Sequence, residues 1–158
     1  MLDSKRNRVI RICFPTRISI NNLSNFKKET LTKVSYHYNS INSKIGDYVK
    51  MFREENEGLV KIINQKTIIY PKETLSYILY SSHYIDTTDF YIEKMYFYRL
   101  KMLEENKDTL HVGTVNEFRK KHPELFKMLT KKDSISTRLI DRSSKTGLGD
   151  QIKIAVAF

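Results

Sequence analysis

Basic and hydroxyl side chains between residues 114 and 145 are the best candidates for chemistry in this sequence. Short apolar patterns there predict two helices, a turn and a third helix that begins near Ser134. In a helix-turn-helix, the last helix presents Ser, Thr and Arg to base edges in the major groove, and lysines in the turn contact phosphates. Six residues would take these roles: Lys131, Lys132, Ser136, Thr137, Arg138 and Arg142.

The same pattern is typical of ordinary helical packing with a solvated basic face. The turn lacks the glycine that is usual in a helix-turn-helix, with Thr130 or Lys131 near that place. Both interpretations therefore stay open at the level of sequence.

Two further segments could bind phosphate. Lys145 precedes the spaced glycines Gly147 and Gly149, whose backbone N–H groups can approach a phosphate. The spacing of a Walker A motif is absent, which argues against nucleotide hydrolysis, and a plain turn explains the glycines equally well. Near the start, Lys5, Arg6 and Arg8 form a basic arm over residues 1–8.

Residues that could support catalysis are few. The carboxylates Asp86, Asp89 and Glu93 have the spacing of one helix face, as a metal-dependent nuclease would need, but helix capping also explains the two aspartates. The four histidines share no ligand spacing and there is a single cysteine, Cys13, so we predict no metal site, no cofactor and no catalytic residue.

Charge is the strongest signal in the composition. The chain has 28 basic and 18 acidic residues, a net charge of +10 and a pI near 9.6. Residues 1–53 carry +8, residues 54–106 carry −3 and residues 107–158 carry +5. A pI above about 9 is a footprint of nucleic-acid binding, although an acidic partner protein would also suit it.

Periodicity predicts mostly helical structure with a few short strands. The predicted helices are a long amphipathic one over residues 31–52, one over 71–84, an apolar core helix over 90–103 that buries Met95 and Leu103, one opened by a Thr114–Glu117 capping box, and one begun by Pro123. The predicted strands are 9–14, closed by Pro15 and continued or paired by 17–20, a hairpin of 59–63 with 66–70, and a terminal strand over 151–158.

These observations predict an α+β, mainly helical fold, with a basic arm at residues 1–8 and a single domain at 9–158. The favoured function is a nucleic-acid-binding protein of regulatory, packaging or replication type, with duplex DNA as the favoured target. Tyr36 and Tyr38 could offer stacking platforms to single strands, and the stripe over 31–52 could form a homodimer seam.

Two other functions stay open: a small inhibitor or adaptor that docks on an acidic partner protein, and, third, a metal-dependent nuclease. The low cysteine content and the lack of a transmembrane run predict a cytoplasmic protein. The composition, rich in Lys, Ile, Asn and Tyr, is typical of AT-rich genomes such as those of phages, viruses or plasmids.

Overall fold

The computed structural model describes residues 1–3, 8–25, 29–31, 34–38, 49–63, 67–85 and 88–158, without the side chains of residues 29, 30 and 89. Of these residues, 44% lie in strands and 23% in helices. The prediction of a mainly helical fold is therefore wrong, because nearly twice as many described residues lie in antiparallel strands as in helices.

In the part of the chain that the structure describes, strands dominate both ends, and the three helices lie between residues 89 and 130. In chain order the elements are β1 (Leu2–Asp3), β2 (Arg8–Val9), β3 (Arg11–Asn21), β4 (Glu29–Leu31), β5 (Ser35–His37), β6 (Lys50–Glu55), β7 (Gly58–Lys61), β8 (Thr67–Ile69), β9 (Thr74–Tyr84), α1 (Asp89–Glu104), α2 (Val115–Lys121), α3 (Pro123–Thr130), β10 (Ser134–Ile140) and β11 (Leu148–Ala155).

The described strands form three sheets. Strands β1 and β2 form a two-stranded sheet, and a four-stranded sheet has the order β3-β9-β6-β7. In the third sheet the order is β11-β10-β4-β8, and β5 also pairs with β10. The pairing of β10 with β11 is long and antiparallel, from Ser134 opposite Ala155 to Ile140 opposite Leu148.

The chain divides into two compact units. Unit 1 contains the described residues of 1–14 and 82–131, and unit 2 contains those of 15–38, 47–81 and 132–158. The interpretation of residues 9–158 as a single domain after a basic arm stays a prediction.

Unit 1 is built around aromatic rings. Phe14 contacts His83, Phe118 and Phe126, with ring centroids 5.1, 5.5 and 5.2 Å away. Each of these four side chains is buried, and contacts of this tilted or edge-on kind are favourable between aromatic rings. The cluster joins β3 and β9 to helices α2 and α3.

Unit 2 has a conventional apolar core. The residues Val34, Met51, Tyr77 and Leu79 are buried together, and Ile135 from β10 packs against them. Next to this core, the hydroxyl of the fully buried Tyr36 donates a hydrogen bond of 2.9 Å to Asp133. Burial and the charge of Asp133 both raise the pKa of Tyr36, so the phenol stays protonated.

The predicted helix over 71–84 is wrong, because strand β9 covers Thr74–Tyr84. The residues of β9 that are buried alternate: Tyr77, Leu79, Ser81 and His83. This is the two-residue period of a strand. Two of the four are polar, so hydrophobicity alone conceals the alternation.

Two other predictions fail in unit 2. The helix over 31–52 is wrong wherever the chain is described, since β4, β5 and β6 occupy its two ends; residues 39–48 lie outside the described residues. The hairpin of 59–63 with 66–70 is also wrong, because β7 pairs with β6 and β8 pairs with β4. The actual turn precedes Gly58, whose φ of +128° favours glycine.

Several local predictions are confirmed. Helix α1 matches the predicted helix over 90–103, the Thr114–Glu117 capping box opens α2, and Pro123 begins α3. Strand β3 includes the predicted continuation over 17–20, although Pro15 lies inside the strand and does not close it. Strand β11 overlaps the predicted terminal strand and ends at Ala155.

The packing of α1 can be tested with substitutions at Met95 and Leu103. Met95 is 4% exposed, whereas Leu103 is 45% exposed, so its predicted burial is wrong. We expect Met95→Ala to lower the free energy of unfolding by about 2–5 kcal/mol, as for other buried large side chains. We expect Leu103→Ala to lower it by less than about 1 kcal/mol. Urea denaturation of both variants checks this, and equal losses would contradict the exposure of Leu103.

His83 predicts how stability depends on pH. Burial lowers the pKa of His83 to about 4, from an ordinary value of 6.5. The unfolded chain therefore binds a proton near pH 6.5 that the folded chain binds only near pH 4. The free energy of unfolding is highest above the pKa of the histidine in the unfolded chain. It should fall by on the order of 2 kcal/mol between about pH 7 and pH 5.

Urea denaturation at several pH values measures this effect. His83→Leu should flatten the dependence in that range. The matched control is His111→Gln, because His111 is exposed. An unchanged slope in His83→Leu would show that His83 is not its source.

Candidate functional site

Helix α1 has one buried face and two exposed faces. Met95, Tyr98 and Met102 point into unit 1 and are buried. The helix is apolar nearly all round, yet unit 1 covers only this side. Two of the remaining apolar and aromatic side chains of α1, Phe90 and Tyr91, are half-buried. The others are exposed: Ile92, Tyr96, Phe97, Leu100 and Leu103.

One exposed face alternates aromatic and cationic side chains. Phe90, Lys94, Phe97 and Lys101 are spaced by four, three and four residues, which places them on one side of a helix. Phe97 is 62% exposed, both lysines are exposed, and Lys94 Nζ lies 5.8 Å from the centroid of the Phe90 ring. Over 11 residues the row is about 16 Å long.

The end of helix α2 adds a further cation to this row. Lys121 Nζ lies 5.2 Å from the centroid of the Phe97 ring and 5.1 Å from that of Tyr98. These distances are in the range of cation–π contacts. We call Phe90, Lys94, Phe97, Lys101 and Lys121 the cation–aromatic face.

Two helix signals hold Lys121 in place. Thr114 and Glu117 form a complete capping box at the start of α2. His122 is both the C-cap of α2 and the N-cap of α3, and Pro123 follows at the first position of α3. Since Lys121 is the last residue of α2, these signals fix the position of its backbone.

His122 reports the electrostatics of the cation–aromatic face. Its Nε2 lies 2.9 Å from the Tyr98 hydroxyl oxygen. Partial burial lowers the pKa of His122, and the charges of Lys121 and then Lys94 lower it further. Burial is the main reason that a positive ring is disfavoured here, and the charges of the two lysines add to it. Those two charges would attract an anion.

The free charge on this face is concentrated at Lys94 and Lys121. Lys101 lies 3.8 Å from Glu105, which also pairs with Lys107 at 2.7 Å, so its charge is partly offset. In the described part of the chain, neither Lys94 nor Lys121 forms an ion pair. Besides Lys121, the segment 115–131 has four basic and two acidic residues, which add positive charge.

The second exposed face of α1 is apolar. Its side chains, Ile92, Tyr96, Leu100 and Leu103, are each between 43% and 51% exposed. We call these four residues the apolar stripe of α1.

The helix-turn-helix prediction is wrong. Ser134–Ile140 is strand β10, paired with β11 on one side and with β4 and β5 on the other. A strand in the middle of a sheet cannot enter a major groove as a reading helix. The β-branched residues Ile135, Thr137 and Ile140 fit this strand.

The residues predicted to bind nucleic acid are dispersed over the structure. Lys131 and Lys132 are exposed before β10, Thr137 is half-buried, and Arg138 is exposed on β10. Arg142 and Lys145 are both exposed in the connection between β10 and β11. In the N-terminal arm, Arg8 is half-buried in β2, whereas Lys5 and Arg6 lie outside the described residues.

Ser136 and Tyr36 are unsuited to the roles predicted for them. Ser136 is 3% exposed, its hydroxyl oxygen accepts a hydrogen bond of 2.9 Å from Gln151, and it lies 2.5 Å from His37 Nε2. A serine beside a histidine can become a nucleophile. Here the oxygen is enclosed between strands, so the contact joins β5, β10 and β11 instead. Tyr36 is too deeply buried to stack on a base, and Tyr38 packs against it.

The carboxylate row predicted for a nuclease is not assembled by the described residues. Glu93 is exposed on α1, Asp86 lies outside the described residues, and only the backbone of Asp89 is described. Within the described ranges, no three His, Cys, Asp or Glu side chains are grouped so that they could hold a metal ion. No helix in that part of the chain combines the length and the apolar character needed to cross a membrane.

Sequence reasoning missed the cation–aromatic face although its signal was present. The spacing of Phe90, Lys94, Phe97 and Lys101 is visible in the sequence, and the helix that carries them was predicted correctly. Their apolar neighbours suggested burial on every side. The contribution of Lys121 depends on how α2 packs against α1, which no local pattern reveals.

No family model, no curated protein and no solved structure matches this chain. The site must therefore be interpreted from its own geometry.

The pKa of His122 tests the arrangement of the two lysines. Removing a positive charge near the ring should make protonation easier, so we expect Lys121→Gln and Lys94→Gln each to raise the pKa of His122. Lys107→Gln is the matched control, because Lys107 pairs with Glu105 and is not a cause of this shift. An NMR titration of the imidazole measures all three. An unchanged His122 pKa in both test variants would contradict the geometry.

Proposed function

We propose that this protein binds nucleic acid through the cation–aromatic face of unit 1. The observation that supports this most directly is the exposed Phe97 ring with Lys121 Nζ 5.2 Å from its centroid and Lys94 on the same side of the helix. Lysines neutralise phosphates and release counterions, while an exposed aromatic ring offers a surface to bases. Nucleic acid presents both groups, phosphates and bases, at regular intervals along one chain.

The net charge of +10 supports the same proposal at long range. A positive protein concentrates polyanions near its surface and speeds their encounter with a local site. The target is no longer restricted to duplex DNA, because the predicted reading helix that favoured a duplex is strand β10. We further propose a role in regulation, packaging or replication, in the cytoplasm.

A second candidate function is docking on an acidic partner protein, as an inhibitor or adaptor. The observation that favours it is the apolar stripe of α1, since exposed apolar surface is typical of protein interfaces. A second copy of this chain is a further candidate partner. Salt separates the candidates: nucleic-acid binding weakens steeply as salt rises, and an interface held by apolar anchors weakens far less.

Two double variants test which residues bind nucleic acid. Lys94→Gln with Lys121→Gln removes two charges from the cation–aromatic face. Arg142→Gln with Lys145→Gln removes the same charge from the connection between β10 and β11. The sequence predicted that Arg142 reads bases and that Lys145 contacts phosphate. We expect the first pair to weaken binding to every nucleic acid, and the second to retain most of the affinity.

Fluorescence anisotropy with labelled DNA and RNA, single-stranded and duplex, measures the affinities at about 50 and 200 mM salt. The first pair should lower the slope of log affinity against log salt by about 0.7 to 0.9 for each lost phosphate contact. A larger loss of affinity in the second pair would show that the binding site lies at residues 142–145 and not on the cation–aromatic face. If the unaltered protein binds none of these ligands at about 50 mM salt and micromolar concentration, the nucleic-acid function is wrong.

A further inference from the structure

We infer that the cation–aromatic face selects single-stranded nucleic acid and stacks a base on the ring of Phe97. This inference rests on the proposed function and adds the class of substrate to it.

Phe97 has the exposure and the neighbours that base stacking requires. The ring is 62% exposed, although it belongs to a helix whose opposite side is firmly buried through Met95 and Met102. It meets the Tyr98 ring nearly edge-on, with centroids 5.7 Å apart and an interplanar angle of 74°. Tyr98 is buried and contacts His122, so it supports Phe97 from inside unit 1.

The lysines lie where the phosphates of a stacked strand would pass. Lys94 and Lys101 flank Phe97 along the helix, and Lys121 approaches the ring from α2. A strand that stacks on aromatic rings needs cations interleaved with those rings, because each base is followed by a phosphate. A second ring, Phe90, continues the row on the other side of Lys94.

This arrangement suits a single strand better than a duplex. In a duplex the faces of the bases are covered by their neighbours, and only base edges and phosphates are accessible. An exposed phenyl ring therefore gains little from a duplex, while the lysines can still bind its phosphates. In a single strand, every base has a face that can stack on the ring.

The same chemistry predicts little sequence preference. The side chains of the row are phenyl rings and ammonium groups, which do not distinguish the hydrogen-bonding edges of the four bases. Any base can stack on a phenyl ring. The only sequence preferences we expect are those that arise because some bases stack more strongly than others.

Phe97→Leu tests the stacking contact directly. Leucine retains an apolar side chain and suits a helix, but it has no aromatic face. The matched control is Tyr96→Leu, since Tyr96 is 51% exposed on the same helix but belongs to the apolar stripe. Phe97→Tyr retains the ring and should retain binding. Circular dichroism and thermal melts of the variants verify that each is folded.

We expect the unaltered protein to bind a single-stranded oligonucleotide at least about tenfold more tightly than its duplex at equal salt. Phe97→Leu should weaken single-strand binding by about 5- to 100-fold, the range for loss of one stacked base. It should leave duplex binding and the salt dependence unchanged. Tyr96→Leu should change neither affinity by more than about twofold.

The inference is overturned if the duplex binds as tightly as the single strand, or if Phe97→Leu and Tyr96→Leu have equal effects. It is also overturned if polyglutamate or anionic vesicles bind as tightly as an oligonucleotide, because charge alone would then explain binding. In the duplex case the proposed function still stands, provided that the Lys94 and Lys121 variants weaken binding. Failure of the unaltered protein to bind any nucleic acid rejects both.

Discussion

The packing of Phe14 against His83, Phe118 and Phe126 is the interaction on which the candidate site depends. It attaches α2 and α3 to the strands of unit 1 through four buried rings. Lys121 lies three residues after Phe118 on α2, and it reaches Phe97 and Tyr98 only because that helix is held at this place. A surface site of a few side chains is thus positioned by a core of aromatic contacts.

Local signals in the sequence located the three helices of the described chain, but the sequence also predicted helices over 31–52, over 71–84 and from Ser134, where the described residues form strands. A capping box and a proline at the first helical position act on adjacent residues, so α2 and α3 could be placed from sequence alone. Sheet pairing joins distant segments, such as Ser134 with both Ala155 and His37. In β9 the buried Ser81 and His83 break the apolar alternation, and in β10 Ser134 and Ser136 do the same.

The candidate site was likewise only partly predictable from local sequence signals. Basic charge and aromatic residues were recognised from composition, but their grouping was not. The sequence favoured Ser136, which the fold buries between His37 and Gln151, and it assigned Phe97 to the core. Both errors concern whether a side chain is buried or exposed. That depends on which parts of the fold cover β10 and α1. A helix that is apolar on every side indicates either complete enclosure or an exposed binding surface, and only the packing distinguishes them.

His122 joins α2 to α3 with no spare residue, since it ends one helix and begins the next. Each residue of a helix turns the chain by about 100° and advances it by about 1.5 Å. Adding or deleting one residue at this joint would rotate Lys121 away from Phe97, or pull Phe126 out of its contact with Phe14. The joint is therefore intolerant of insertions and deletions, although both helices are short. Related chains that share this surface should keep the number of residues between Phe118 and Phe126 constant while their sequence there varies.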